Sequence, residues 1–122
     1  MAYDDQNIFA KILRGEIPNK TVLETPHSLA FHDIHPARPT HVLVIPKGPY
    51  VTFDELAANG TDAEIVDFVR AVGEVARLCG VVESGYRLIS NNRGHGHQDV
   101  PHLHVHVFGG APAGPMLRRV ER

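Results

Sequence analysis

One short segment near the end of the chain is unlike any other: Pro101-His-Leu-His-Val-His-Val-Phe-Gly-Gly110. Histidines alternate with apolar residues, and the two glycines close the run. This pattern predicts a β-strand over 102–108, in which successive side chains point to opposite faces. The histidines then share one face, about 6.5–7 Å apart, because two residues of strand rise about 3.3 Å each. The other face, which can pack under a helix, holds Leu103, Val105 and Val107.

Three imidazoles on one face admit three interpretations. They can simply satisfy hydrogen bonds on a polar strand face. They can bind a metal ion, with His41 or His97 completing the ligand shell. They can also attack a phosphate or acyl centre, because neutral imidazole is a nucleophile at neutral pH and water can displace it from a phosphoryl-imidazole. Nine histidines in the chain, five of them between residues 95 and 106, favour a functional role.

The preceding sequence alternates between strand and helix patterns. Apolar residues at helical spacing predict a short helix containing Ile8, Phe9, Ile12 and Leu13. Alternating or β-branched runs bounded by prolines and glycines predict strands at Thr21–Glu24, Leu29–Ile34, His41–Ile45 and Tyr86–Asn91. The third of these is almost wholly apolar, which is typical of a central strand covered on both faces.

A long helix is predicted from about Asp62 to Cys79. Thr61 followed by Glu64 has the capping-box pattern, and Gly80 stands where a helix commonly ends in a left-handed residue. Steps of four and three residues predict one apolar stripe formed by Ile65, Val69, Val72, Ala76 and Cys79.

These elements predict an α+β domain spanning residues 1–122, with an irregular tail over 111–122. About five short strands form a mostly antiparallel sheet, and one long and one short helix lie on one side of it. No internal repeat or linker divides the chain.

Composition excludes several classes of protein. Twelve basic and fourteen acidic side chains give a net charge of −2, which argues against nucleic-acid or membrane partners. Cys79 is the only cysteine, so neither an intrachain disulfide nor a four-cysteine zinc centre can form. The opening residues lack a basic region followed by an apolar one, so we expect a cytoplasmic protein without a signal peptide.

The histidine segment closely resembles the signature of the histidine-triad (HIT) family, in which three histidines alternate with hydrophobic residues. Other matching motifs follow in the right order and resemble the Hint branch of that family: 8–12, Gly15–Pro18, 29–34, Pro39–Lys47, Gly85–Arg87 and the Gly109-Gly110 pair. The ending Gly114-Pro-Met-Leu117 resembles bacterial members. The resemblance implies the HIT fold over nearly the whole chain.

The resemblance also implies catalytic roles. His104 matches the histidine that attacks the α-phosphorus and forms a nucleotidyl-histidine intermediate. His102 and His106 match the flanking histidines that orient the nucleophile and the phosphate. His41 matches a fourth histidine behind them, although a buried strand histidine with satisfied hydrogen bonds would look the same in sequence.

Nucleotide-binding residues carry over in the same way. Asp33 matches the carboxylate that accepts hydrogen bonds from the ribose hydroxyls, and Asn91 matches a residue that reaches the phosphate. The loop beside the α-phosphate corresponds to His97, Gln98 and Asp99. An apolar base pocket, which sequence alone would assign equally to the core, corresponds to Phe9, Ile12, Ile34 and Leu43.

The implied activity is that of a purine nucleoside phosphoramidase, which releases AMP and an amine without a cofactor or metal. Two alternatives remain: a dinucleoside polyphosphate hydrolase or nucleotidyl transferase of the same superfamily, and a nucleotide-binding module with incidental hydrolysis. Asp99 departs from the serine that family members often carry, which leaves the leaving-group preference open. The resemblance also implies a homodimer formed through the long helix and the Tyr86–Asn91 strand, which would cover a bare strand edge.

Overall fold

Five strands form a single antiparallel sheet in the order β1-β2-β3-β5-β4 in the computed structural model, which describes residues 2–120. Along the chain the elements are α1 (Ile8–Leu13), β1 (Thr21–Glu24), β2 (Ser28–His32), β3 (Thr40–Pro46), α2 (Phe53–Asn59), α3 (Asp62–Leu78), β4 (Arg87–Ile89) and β5 (Val105–Gly109). The α+β class and the antiparallel sheet are therefore confirmed. Of the predicted irregular tail, residues 121 and 122 lie outside the described residues.

The central strand β3 sets the rows of side chains across the sheet. Leu43 lies opposite Phe31 of β2 on one side and opposite His106 of β5 on the other. Directly opposed residues of antiparallel strands point to the same face. Phe31, Leu43 and His106 therefore form one row of side chains on the same face of the sheet.

The sheet is covered on both faces. α3 packs on the face that presents Ala30, Val42, Val44, Val105 and Val107, whereas α1 packs on the face that presents Leu29, Phe31, Leu43 and Ile45. The prediction that both helices lie on one side was wrong. Because β2 and β3 are buried along nearly their whole length, each face needs its own cover.

α3 begins and ends as predicted, and most of its predicted apolar stripe faces the core. The Thr61–Glu64 capping box is present, and Gly80 is left-handed with φ 70°. Phe68 is buried, however, whereas Val69 of the predicted stripe is 64% exposed. The predicted stripe was therefore right at Ile65, Val72, Ala76 and Cys79, which are buried or packed against the core, and wrong at Val69.

Two further predictions need correction. A third helix, α2, was missed because it is short and buries only Leu56, which leaves no periodic apolar signal. β5 begins at Val105 rather than at His102, because the preceding backbone turns away from β3: the N–H of Leu103 bonds to the carbonyl of Tyr50. Alternation nevertheless persists through this segment, since Leu103, Val105 and Val107 all pack in the α3 cluster.

The glycine pair after Phe108 is required by close packing. A Cβ on Gly109 would lie 2.6 Å from Cγ1 of Val81, a residue that follows α3. Gly110 has φ 83°, and its Cβ would lie 2.9 Å from Cβ of Pro39. Only glycine fits these two positions without displacing either neighbour.

Within residues 2–120, no helix combines the length and apolar character needed to cross a membrane.

Candidate active site

A cleft of about 280 Å³ opens on the α1 face of the sheet, beside the histidines. One wall is α1, and the floor is formed by β2, β3 and β5. Eight of the residues singled out in the sequence line it: Phe9, Ile12, Asp33, Ile34, Leu43, Asp99, His104 and His106. The structure therefore brings together the proposed nucleophile, the proposed ribose ligand and the proposed base pocket.

His104 lies at the inner end of the cleft with its proton position fixed. Its Nδ1 is 2.7 Å from the carbonyl oxygen of His102. A carbonyl oxygen only accepts, so Nδ1 carries the proton and Nε2 keeps its lone pair. The ring of Phe9 packs edge-on against the imidazole at 4.9 Å between centroids, and His104 is almost completely buried. The arrangement presents one unprotonated nitrogen at a defined place.

His102 lies behind His104 and does not line the cleft. Its Nε2 donates to the carbonyl of Pro46 at 2.8 Å, and its Nδ1 is 2.5 Å from the hydroxyl of Tyr3. Burial lowers the pKa of His102 to about 4. His102 is therefore a neutral structural support whose backbone carbonyl orients the ring of His104.

His41 and His106 form a second ordered pair. The N–H of Ala37 donates to Nδ1 of His41 at 3.0 Å, so Nε2 of His41 carries the proton. That proton is donated to Nδ1 of His106 at 2.9 Å, which leaves Nε2 of His106 as the protonated nitrogen of the neutral ring. Burial lowers the pKa of both residues, that of His106 to about 4 with a further contribution from His104 and His41. His106 is thus a neutral N–H donor beside the cleft.

Asp33 follows the end of β2 and is held in place by its own turn. Its Oδ1 accepts from the N–H of His35 at 2.8 Å, and its Oδ2 lies 3.4 Å from Nε2 of His41. Each carboxylate oxygen has a second lone pair for a ligand hydroxyl. The position is compatible with the ribose-binding role implied by the resemblance.

Of the three residues predicted to bind the nucleotide in the loop over 92–100, only Asp99 lines the cleft. Gln98 uses its side chain within the protein, donating to the carbonyls of Val51 and Val100 and accepting from the N–H of Arg93. His97 is exposed and left-handed with φ 59°, and its N–H donates to the carbonyl of Gly94. Neither residue lines the cleft, nor do Asn91 and His41.

Asp99 is the member of this loop that reaches His104. Its Oδ1 lies 3.5 Å from Nε2 of His104, and its side chain is 75% exposed. A negative charge therefore stands at the mouth of the cleft, close to the nitrogen that would attack an anionic phosphate.

One group of described residues has ligand atoms close enough for a metal ion: Asp33, His41 and His106, with all three atoms within 4.8 Å of one another. The two histidine nitrogens already share a hydrogen bond, which a metal ion would have to replace. His102 has both ring nitrogens engaged, and His97 is not in the group. The geometry therefore does not match a metal site built on alternate histidines of the strand.

Sequence reasoning missed part of the site. Phe31 and Val100 line the cleft together with Ile8, Ile17, Pro18, Asn19, Lys20 and His32. Phe31 could have been found, because it is two residues before Asp33 and shares its face in an extended segment. Tyr3 carried no signal, since its contact with His102 joins residues 99 positions apart.

Comparisons with known proteins agree with this geometry. The HIT domain family matches residues 14–113. A 13.2 kDa HIT-like protein of Azospirillum brasilense is 60% identical over 117 residues, covering 96% of each chain. The purine nucleoside phosphoramidase of Escherichia coli K12 is 41% identical over 113 residues, covering 93% of this chain and 94% of its own. A HIT family hydrolase from Clostridium thermocellum superposes with a TM-score of 0.84 at 36% identity, covering 94% of this chain and 99% of that one.

The α+β fold with its five-stranded antiparallel sheet is shared with the Clostridium thermocellum hydrolase. The chain belongs to the HIT family, and the resemblance inferred from its motifs is confirmed.

Proposed function

We propose that the protein hydrolyses purine nucleoside 5′-phosphoramidates, releasing a nucleoside monophosphate and an amine, with His104 as the nucleophile. The observation that carries the proposal is the hydrogen bond from Nδ1 of His104 to the carbonyl of His102, which leaves an unprotonated Nε2 at a cleft. The 41% identity to a purine nucleoside phosphoramidase supports the choice of the phosphorus–nitrogen bond.

In the first step, the lone pair of Nε2 forms a bond to the α-phosphorus. The phosphorus–nitrogen bond of the substrate breaks, and its electron pair leaves with the amine, which takes a proton from solvent at the open mouth of the cleft. His104 is then a cationic nucleotidyl-imidazole. The hydrogen bond from its Nδ1 to the carbonyl of His102 becomes charge-assisted at that stage and stabilises the intermediate.

In the second step, water attacks the phosphorus and breaks its bond to Nε2. The nucleoside monophosphate is released, the proton of water passes to solvent, and His104 recovers its lone pair. The Nε2–H of His106 is suited to donate a hydrogen bond to a phosphoryl oxygen in both transition states. Neutral His106 can do this throughout, because its pKa of about 4 keeps its protonation state constant near neutrality.

The nucleoside would occupy the apolar part of the cleft, between α1 and the row that contains Phe31 and Leu43. Asp33 would accept from the ribose hydroxyls. Since the walls near α1 are mostly apolar, the base would be held by contact area, and we propose adenosine as the preferred nucleoside and AMP as the product.

The first test uses adenosine 5′-phosphoramidate with wild type and His104→Ala. We expect AMP release by wild type only, and an intact-mass increase of one adenylyl group on quenched wild type, located on a peptide that contains His104. His35→Gln, which changes an exposed histidine, is the control and should behave as wild type. AMP binding without release by wild type would contradict the phosphoramidase proposal in favour of a nucleotide-binding module, and faster cleavage of a diadenosine polyphosphate would favour the superfamily alternative.

We also propose that the protein acts as a homodimer. α3 and the segment that follows it carry exposed apolar residues, and β4 is an edge strand of the sheet. The exposed apolar residues of α3, this segment and β4 are Val66, Val69, Leu78, Val82, Tyr86 and Leu88. Exposed apolar side chains on and beside an edge strand are typical of a surface that a second copy covers.

A further inference from the structure

The segment before α1 reaches across to the histidines of the site. The hydroxyl of Tyr3 lies 2.5 Å from Nδ1 of His102, and Nδ2 of Asn7 lies 2.9 Å from the same hydroxyl. The ring of Tyr3 packs edge-on against the imidazole of His102, with centroids 5.6 Å apart. The hydroxyl of Tyr3 therefore links the segment before α1 to His102, the residue that supports His104.

The chemistry of the partners fixes the direction of each proton. The carbonyl of Pro46 can only accept, so Nε2 of His102 carries the ring proton and Nδ1 is an acceptor. The amide NH₂ of Asn7 can only donate, so it donates to the oxygen of Tyr3, and Tyr3 donates its own proton to His102. Burial raises the pKa of Tyr3, so the phenol keeps the proton that this arrangement needs.

Asn7 connects the same chain of hydrogen bonds to the wall of the cleft. Its Oδ1 accepts from the N–H of Ala10 and caps α1, while its Nδ2 donates to Tyr3 and to the carbonyl of Asp4. α1 carries Phe9, whose ring contacts the imidazoles of both His104 and His102. The segment from Tyr3 to Asn7 and the first turn of α1 are therefore one hydrogen-bonded unit seated on the histidines.

We propose that Tyr3 is a positioning residue for the nucleophile: its hydroxyl holds the ring of His102, whose backbone carbonyl in turn orients His104. This inference rests on the proposed function for its catalytic consequence, while the contact itself can be tested without turnover. Tyr3 is outside the set of described residues that line the cleft, so it acts through His102 and not on the substrate.

The decisive variant is Tyr3→Phe, which keeps the ring and removes only the hydroxyl. This variant removes the one donor described for Nδ1 of His102, which is buried. The ring of His102 and its backbone carbonyl are then free to shift. We expect kcat to fall on the order of tenfold and KM to stay within about twofold, the pattern of an interaction that matters in the transition state only.

Asn7→Asp is a second variant, which leaves Tyr3 intact. Aspartate still caps α1, but its carboxylate accepts the phenol proton and draws it away from His102. The same loss of kcat is expected. Tyr50→Phe is the matched control, because Tyr50 also donates its hydroxyl, to Glu64 at 2.8 Å, and lies outside the site. It should lose stability comparably and keep wild-type kcat.

A readout independent of turnover is the ¹⁵N spectrum of the histidine rings. The Nδ1 resonance of His102 should shift downfield in Tyr3→Phe and in Asn7→Asp, because that nitrogen no longer accepts a hydrogen bond, and it should not move in Tyr50→Phe. Unchanged kcat together with an unmoved Nδ1 resonance in Tyr3→Phe would overturn the inference. Absence of AMP release by wild type would contradict the proposed function instead, and the NMR comparison would still decide whether Tyr3 holds His102.

Discussion

The four histidines of the site differ in what their neighbours allow them to do. His104 donates through Nδ1 to a backbone carbonyl, and His41 accepts through Nδ1 from a backbone amide. Both partners are main-chain groups, whose donor or acceptor character cannot change with pH or with substitution of a side chain. The protonated nitrogen of each ring is therefore set by the fold itself.

Sequence could identify these histidines but not their partners. Alternation predicts which imidazoles share a face, because it depends only on local backbone geometry. The carbonyl of Pro46 and the hydroxyl of Tyr3 reach His102 from segments far away in the sequence, so their contacts depend on how the elements pack. The shared face of the triad histidines was predictable for this reason, and the groups that hold His102 were not.

Asp99 gives the first prediction at this scale. Replacing it with asparagine removes a negative charge 3.5 Å from Nε2 of His104. In a solvated site, two unit charges about 4 Å apart interact with about 1 kcal/mol. We therefore expect the Asp99→Asn variant to bind AMP about fivefold more tightly than wild type at low salt. Isothermal titration calorimetry measures the change directly.

The control for this charge effect is Asp62→Asn, which removes a carboxylate in the first turn of α3, outside the cleft-lining set. It should leave AMP affinity unchanged. Because exposed charges are screened, the gain in Asp99→Asn should shrink as salt is raised. An equal affinity of wild type and Asp99→Asn at low salt would mean that the carboxylate does not act on the phosphate.

Among the elements, α3 shows both the strength and the limit of pattern analysis. Its start was predictable, since the capping box is a local arrangement of Thr61 and Glu64. Its orientation was predictable at four of the five stripe positions and wrong at Val69, because Phe68 and Val69 are neighbours in sequence and only packing against the sheet decides which of them is buried. The short helix α2 was not predicted because it buries only Leu56, and a single buried apolar residue gives no periodic pattern.

The exposed position of Val69 on α3 predicts the behaviour of Val69→Asp. A charge on this surface would have to be buried without a partner in the proposed dimer, which is strongly unfavourable, while in a monomer it would remain in water. We expect sedimentation velocity to give a dimer for wild type and a monomer for Val69→Asp, with the circular dichroism spectrum preserved.

Phe53→Asp serves as the comparison, since Phe53 is an exposed aromatic residue on α2. It removes an apolar side chain of the surface without touching α3 or β4, and it should remain dimeric. If Val69→Asp sediments with the same mass as wild type, the proposed interface is in the wrong place.

For the whole molecule, the buried histidines couple stability to pH. The pKa of His102 and of His106 is about 4 in the folded protein, against 6.5 for an unperturbed histidine. Between these values the unfolded chain binds more protons than the folded one, so acid favours unfolding. The stabilisation is complete above about pH 6.5 and is lost progressively as the pH falls toward 4.

We therefore expect the urea midpoint to be constant from pH 8 to 7 and to fall steadily between pH 6.5 and 4. Because His102 is the more deeply buried of the two, His102→Gln should show a smaller fall over this interval, whatever its stability at pH 7. His35→Gln, at an exposed position, should retain the wild-type slope. Identical slopes for His102→Gln and wild type would show that His102 takes up no proton on unfolding.

The glycine pair at the end of β5 has a consequence for how related sequences diverge. Gly109 is required by the approach of Val81, and Gly110 by its left-handed turn against Pro39, and neither touches the cleft. Packing alone therefore accounts for both glycines of this ten-residue motif. A paralogue that lost the proposed activity would still need both glycines to fold, so its glycine pair should be retained after the histidines that line the cleft, His104 and His106, have changed.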